Sequence, residues 1–179
     1  MQTSITRKWV IKGSEPKVMS KPGKDKASYS GFLIQEPGVL YMDEPLKFNY
    51  ETVINSIRSF IKAVPPKDKK YLIIMDNASW HKKAIRLIED LTNEEYADIR
   101  EAARFMSLPP YSPDLNPIEQ VWRVTRRQKT HNRYFPSLPA LKETLASLFK
   151  EWAKPNELLK SLANFSCFRP TLDTVSAVG

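Results

Sequence analysis

The 179-residue sequence predicts an α/β domain, and three observations carry that reading. A nearly continuous apolar run at 71–75 (YLIIM) ends at Asp76-Asn77, as a strand covered on both faces would. Two strand-like runs, 28–35 and 39–42, flank the turn signal Glu36-Pro37-Gly38. Between and after them lie segments whose apolar residues recur at helical spacing. The order hairpin, helix, buried strand, helix, strand, helices suits helices packed on a sheet.

Taken in order, residues 9–11 read as a short strand, and 12–27 read as a lysine-rich loop punctuated by Gly13, Pro16, Pro22 and Gly23. The hairpin follows. Asn49 caps a helix in which Val53, Ile54, Ile57, Phe60 and Ile61 share a face, and Pro65-Pro66 closes it. After the strand at 71–75, a helix is expected over about 82–95, with Ile85, Leu87, Ile88 and Leu91 inward. A short strand is expected at 104–108. The stretch 108–122 (LPPYSPDLNPIEQVW) then turns from stiff to helical. Pro109, Pro110 and Pro113 lack amide hydrogens and disfavour helix before them, whereas Asn116 is a good N-cap and Pro117 suits the first helical position. That helix should run to about residue 130. Others are expected from Ser137 to the break at Pro155 and over about 156–163.

Composition narrows the class. Hydrophobic residues make up 41% and charged residues 27%, ordinary for a globular chain with a real core. No apolar run approaches the ~20 residues of a membrane span, so no membrane partner is expected. A single cysteine, Cys167, makes no internal disulfide, which fits a reducing compartment, and the expected location is cytoplasmic and nucleoid-associated. The net charge of +8 favours an anionic partner. It is concentrated: residues 1–30 hold seven Lys/Arg against two acids, and 120–135 hold Arg123, Arg126, Arg127, Lys129 and Arg133 with no acid.

Residues 75–81 (MDNASWH) together with 108–122 resemble the mariner-type DDE transposases, in their bacterial and archaeal insertion-sequence branch, and the likeness spans about residues 9–165. The resemblance implies a ribonuclease H-like mixed sheet flanked by helices, carrying three metal-binding acids. Matched position by position, Asp76 stands for the second acid and Glu119 for the third. The first acid and its central strand belong before the segment RKWVIKG, so the chain is expected to be truncated at its N-terminus: a partial catalytic domain over 1–165, then a tail over 166–179. Losing a central strand would leave two strand edges unpaired, with residues 6–11 as a partial filler. The implied activity is metal-dependent DNA cleavage and strand transfer during transposition, incomplete in this chain alone. DNA, both element ends and target, is the implied partner, together with a second copy or the upstream transposase portion.

The chemistry asks for such acids. Phosphoryl transfer uses two divalent ions about 4 Å apart, Mg²⁺ or Mn²⁺ here, and one carboxylate does not hold both. Within the matched motifs Asn77, Asn116 and His81 are the candidate supporting residues: Asn77 would orient Asp76 or water, and His81 would approach the substrate phosphate or, as a helix-start histidine, play a structural part. At about 100° per residue Glu119, Arg123 and Arg126 share one face of the helix from Pro117, opposite Ile118, Val121, Trp122 and Thr125. Arg123, Arg126, Arg127 and Lys129 are therefore the candidate DNA contacts. Plainer roles compete: Glu119 completes a capping box with Asn116, or pairs with Arg123. Trp80 and Trp122 read as core residues. Asp43, ending VLYMD, imitates the missing acid but belongs to the returning hairpin strand. The rival reading is a non-catalytic DNA-binding remnant that uses the basic 120–135 face.

Overall fold

The computed structural model describes residues 27–164. The expected strand at 9–11 and the tail lie outside them. Strand β1 (Ser30–Ile34) pairs antiparallel with β2 (Val39–Asp43), Ser30 opposite Asp43 and Ile34 opposite Val39. The connecting turn contains a cis Glu36–Pro37 bond and Gly38 at φ 78°, a left-handed conformation that glycine adopts without steric cost. The Gly38 carbonyl accepts from Asn156 N–H at 3.0 Å.

Helix α1 (Tyr50–Ala63) starts as expected at Asn49. The Asn49 side chain accepts from Thr52 N–H at 2.8 Å, and the Thr52 hydroxyl accepts from Asn49 N–H at 3.0 Å. Strand β3 (Tyr71–Met75) pairs in parallel with β4 (Ala103–Ser107), Tyr71 opposite Ala103. A parallel pair needs a long crossover, and helices α2 (Ser79–Glu89) and α3 (Ala97–Ala102) supply it.

The single helix expected over about 82–95 is instead two helices with a turn between them. Asp90 ends α2 because its carboxylate accepts from Thr92 N–H (2.9 Å) and Oγ1 (2.6 Å), a local turn that competes with the helix. The Arg100 guanidinium donates to the carbonyls of Ile88, Asp90 and Asn93 at 2.7–3.0 Å, satisfying groups left over at the helix end. Leu91, expected inward, is 77% exposed beyond that end.

Helix α4 (Pro117–Thr125) continues as a π-helical turn (Arg126–Thr130), then come α5 (Leu138–Trp152), capped by Ser137, and α6 (Glu157–Leu162), capped by Asn156. Two apolar clusters result. Val121, Leu145, Leu148 and Trp152 centre one, and Ile57, Phe60, Ile88 and Ile99 centre the other. Strand β1 lies between them: Leu33 packs on the first cluster, Phe32 and Ile34 on the second. The Phe32 ring stacks on Phe60 with centroids 4.6 Å apart.

The architecture is α/β, but the strands described do not form one mixed sheet. They form two separate two-stranded sheets, β1-β2 and β3-β4. The run at 71–75 is not covered on both faces either. Only Ile73 is buried, and Leu72 is 58% exposed. The other edge of β3 carries no partner strand among the described residues.

Candidate metal and nucleic-acid site

Asp76 stands one residue beyond β3, where the chain leaves the sheet for α2. Its Oδ1 accepts from Ala78 N–H at 3.0 Å and from His81 Nδ1 at 2.5 Å. His81 is the third residue of α2, so the first helical turn brings its ring back over the strand end. Half of the Asp76 side chain remains exposed. Asn77 does not touch that carboxylate through its side chain. Its amide donates to the Leu108 carbonyl, and Leu108 N–H donates to the Met75 carbonyl at 2.8 Å. Asn77 thereby ties the end of β3 to the start of the proline segment.

That segment turns through Tyr111, which has φ 56° and is fully exposed, and through a short 3₁₀ turn (Pro113–Leu115) into α4. Asn116 occupies the N-cap position, and Pro117 is at the helix start. The expected side-chain cap is not made: Asn116 contributes its carbonyl, which accepts from Glu119 N–H at 3.0 Å. The Glu119 carboxylate has no hydrogen bond or ion pair among the described residues. Both plainer roles for it, closing a capping box and pairing with Arg123, therefore go unmet. Arg123 instead reaches Asp114 at 3.2 Å and Gln120 at 3.3 Å.

Asp76, His81, Asn116 and Glu119 all line one cleft of about 680 Å³, so two strand- and helix-borne motifs 43 positions apart meet there. Ile118 and Trp122 share its wall, while Val121 and Thr125 are buried behind them. Trp80 also lines it and is 40% exposed, so it is not the core residue expected; it stands edge-on to His81, centroids 6.2 Å apart. Asp43 is elsewhere, accepting from Ser56 Oγ at 2.5 Å and from Glu44 N–H at 2.9 Å. The side chains of Arg126, Arg127 and Lys129 make no hydrogen bond or ion pair among the described residues. Arg127 is exposed, and Arg126 and Lys129 are half-buried.

Two carboxylates offer hard oxygen donors of the kind Mg²⁺ and Mn²⁺ take. They fit part of a metal centre: no group of three or more His, Cys, Asp or Glu side chains able to hold a metal ion occurs among the described residues. The contact between His81 and Asp76 escaped sequence reasoning. Its only trace there is a histidine five positions after a strand-ending acid, and that spacing means a contact only once the helix is known to begin at Ser79.

A family model described as DDE superfamily endonuclease matches residues 1–142. The chain belongs to the DDE superfamily endonucleases. An uncharacterized protein of Sinorhizobium fredii, y4pE/y4sA, is 34% identical over 65 residues, which are 36% of this endonuclease chain and 39% of that protein. The chain thus spans about two fifths of that relative's length. No solved structure matches it. No helix among the described residues of this DDE endonuclease is long and apolar enough to cross a membrane.

Proposed function

We propose that this chain is the catalytic part of a mariner-type, insertion-sequence DDE transposase, in which Asp76 and Glu119 hold divalent metal for DNA cleavage and strand transfer. The observation that carries the reading is their meeting on one cleft, with the Glu119 carboxylate unengaged by any described residue. Bound Mg²⁺ or Mn²⁺ would supply charge stabilisation and activation of the attacking oxygen. The chain's own part is positional. His81 and the Ala78 amide fix one oxygen of Asp76 and leave the other for the ion. Asn77 holds the strand end against Leu108, and Asn116 starts the helix that presents Glu119. Arg123, Arg126, Arg127 and Lys129 take the DNA backbone, at element ends and target alike. The missing donors come from outside residues 27–164, in a ribonuclease H-like domain that a second copy or another transposase segment completes.

One observation favours a second reading. Among the described residues, two acids without a third, together with the cations at 126, 127 and 129 that have no described partner, also suit a DNA-binding remnant without chemistry. Incubation of the chain with labelled duplex DNA and Mn²⁺, beside Asp76→Ala and Glu119→Ala, separates the two. Metal-dependent nicking, lost in both variants, is the expected result once a second copy or the missing transposase segment completes the site, with little from the chain alone. Salt-sensitive binding with no nicking in either metal would leave the remnant reading standing.

A further inference from the structure

One residue of the segment that joins β4 to α4 is at odds with its own backbone. Tyr111 has φ 56°, and its ring is fully exposed. Among the described residues the other positive φ outside glycine belongs to Asn132, at 54°, and asparagine tolerates that region where a bulky side chain is strained. Leu46 is as exposed as Tyr111, but its backbone has no such angle. The turn at 111 would form with less strain on glycine or asparagine, and the tyrosine ring packs on neither apolar cluster. Strain of this kind persists where the surroundings fix it, and it gathers at ligand clamps.

The surroundings here do fix it. Upstream, Leu108 is buried, its N–H bonds to the Met75 carbonyl and its own carbonyl accepts from Asn77. Pro109 and Pro110 then hold their φ angles. Downstream, the Ser112 hydroxyl donates to the Pro110 carbonyl at 3.2 Å, and Leu115 N–H donates to the Ser112 carbonyl at 3.1 Å. The ring is therefore held out in solvent on a stiff support, which loses little freedom when something binds. Tyr111 is three residues past Leu108, so at most about 11 Å of chain separates it from the strand end that precedes Asp76. The same segment runs on into Leu115 and Asn116, which line the cleft with Asp76 and Glu119. Arg126, Arg127 and Lys129 follow on the π-helical turn. Cations that track a backbone and an aromatic ring that takes a base are the pairing that unpaired nucleic acid binds, and every base offers a flat face. Bases inside a paired duplex are already stacked on each other, so a free ring finds its partner in an unpaired one. We infer, on the DNA reading proposed above, that Tyr111 is a stacking residue for an unpaired base of the DNA beside the cleft. The contact is ring on base, and it holds whichever base stands there.

The test uses the full chain in metal-free buffer and duplexes of the same sequence: one fully paired, one with an unpaired adenine, and one with the base removed from that unpaired nucleotide. Fluorescence anisotropy reads the affinities. The parent should prefer the unpaired adenine over the abasic duplex by about fivefold or more. Tyr111→Trp, which keeps a ring, should retain the preference. Tyr111→Asn, which suits the backbone angle and whose urea midpoint reports that it is folded, should bind the two alike. With 2-aminopurine in place of the unpaired adenine, the parent should quench its emission and Tyr111→Asn should not. A parent that binds the fully paired duplex but shows no preference, or a preference that survives in Tyr111→Asn, would overturn the stacking and leave the DNA reading standing. A change of self-association in Tyr111→Asn, with no change of preference, would put the ring against a second copy and overturn the inference as well. A chain that binds none of the duplexes would refute both. The preference without Mn²⁺-dependent nicking, even from a completed site, would refute the metal reading and leave Tyr111 in its role.

Discussion

Asp76 has one oxygen committed and one open, and Glu119 is uncommitted by any described side chain, so the two respond differently to substitution. Asp76→Asn weakens the bond to His81 as well as any ion, whereas Glu119→Gln touches little but the ion. Glu119→Gln is therefore expected to leave the unfolding midpoint within about 0.5 kcal/mol of the parent, as surface changes away from packing features do; chemical denaturation checks it. Tyr111 holds a left-handed backbone angle with its ring in solvent, a conformation costing a bulky residue roughly 1–2 kcal/mol. Tyr111→Asn should raise stability by up to about 1 kcal/mol, since asparagine tolerates that region, and a fall would show that the ring makes contacts the exposure conceals. Asp76, Glu119 and the proline entry were legible at this scale because they sit in a long, specific motif. The bond between His81 and Asp76, the Asn77 tie to Leu108 and the exposure of Trp80 were not, because each depends on where a helix begins or which edge is open.

At the scale of elements, local chemistry and packing divide the credit. The cap Asn49 and the helix starts near Ser137 and Asn156 were readable, and the helices start there; Asn116 also read as a cap, but its side chain makes no capping bond. The end of α2 was not, because the turn of Asp90 onto Thr92 is backed by Arg100, ten residues beyond Asp90. The hairpin turn is fixed twice, by the angle at Gly38 and by its approach to α6. An added Cβ would lie 2.5 Å from the Asn156 carbonyl oxygen. Gly38→Ala should cost about 1–3 kcal/mol through strain and overpacking, read as a lowered urea midpoint. Between α1 and α3, Arg58 Nε donates to Asp98 at 2.8 Å, and this bond holds the Asp98 carboxyl below its usual range. A depressed pKa gives stability that is present above the unfolded value of about 3.9 and lost as pH falls through the folded one. Both side chains are more than a third exposed, so Asp98→Asn should cost less than about 1 kcal/mol at pH 7. The stability difference between parent and variant should narrow as pH falls below the unfolded value and close below the folded one, and a difference that persists in strong acid would refute the assignment.

Across the whole molecule, the sequence conveyed an α/β order of elements and two acids that meet, but not the division into two sheets. Pairing is non-local, and nothing in the run YLIIM says which of its edges will be left open. The same holds for the basic segment: its charges were countable, but not which of them the fold engages. Arg123 reaches Asp114 and Gln120, whereas Arg126, Arg127 and Lys129 reach no described partner. If Arg126, Arg127 and Lys129 take DNA phosphates, changing each to Ala should lower the slope of log K against log salt by about 1 for each phosphate no longer neutralised, with little change in sequence preference. An unchanged slope would move the DNA face elsewhere. We propose above that Asp76 and Glu119 form a divalent-metal site on the cleft that both line. Paramagnetic broadening of amide signals on Mn²⁺ addition tests it most directly. Selective loss of signals around Asp76, His81 and Glu119 at low Mn²⁺, abolished by Asp76→Ala and by Glu119→Ala, is the expected result. Broadening spread over other acids, or unchanged in those variants, would contradict it.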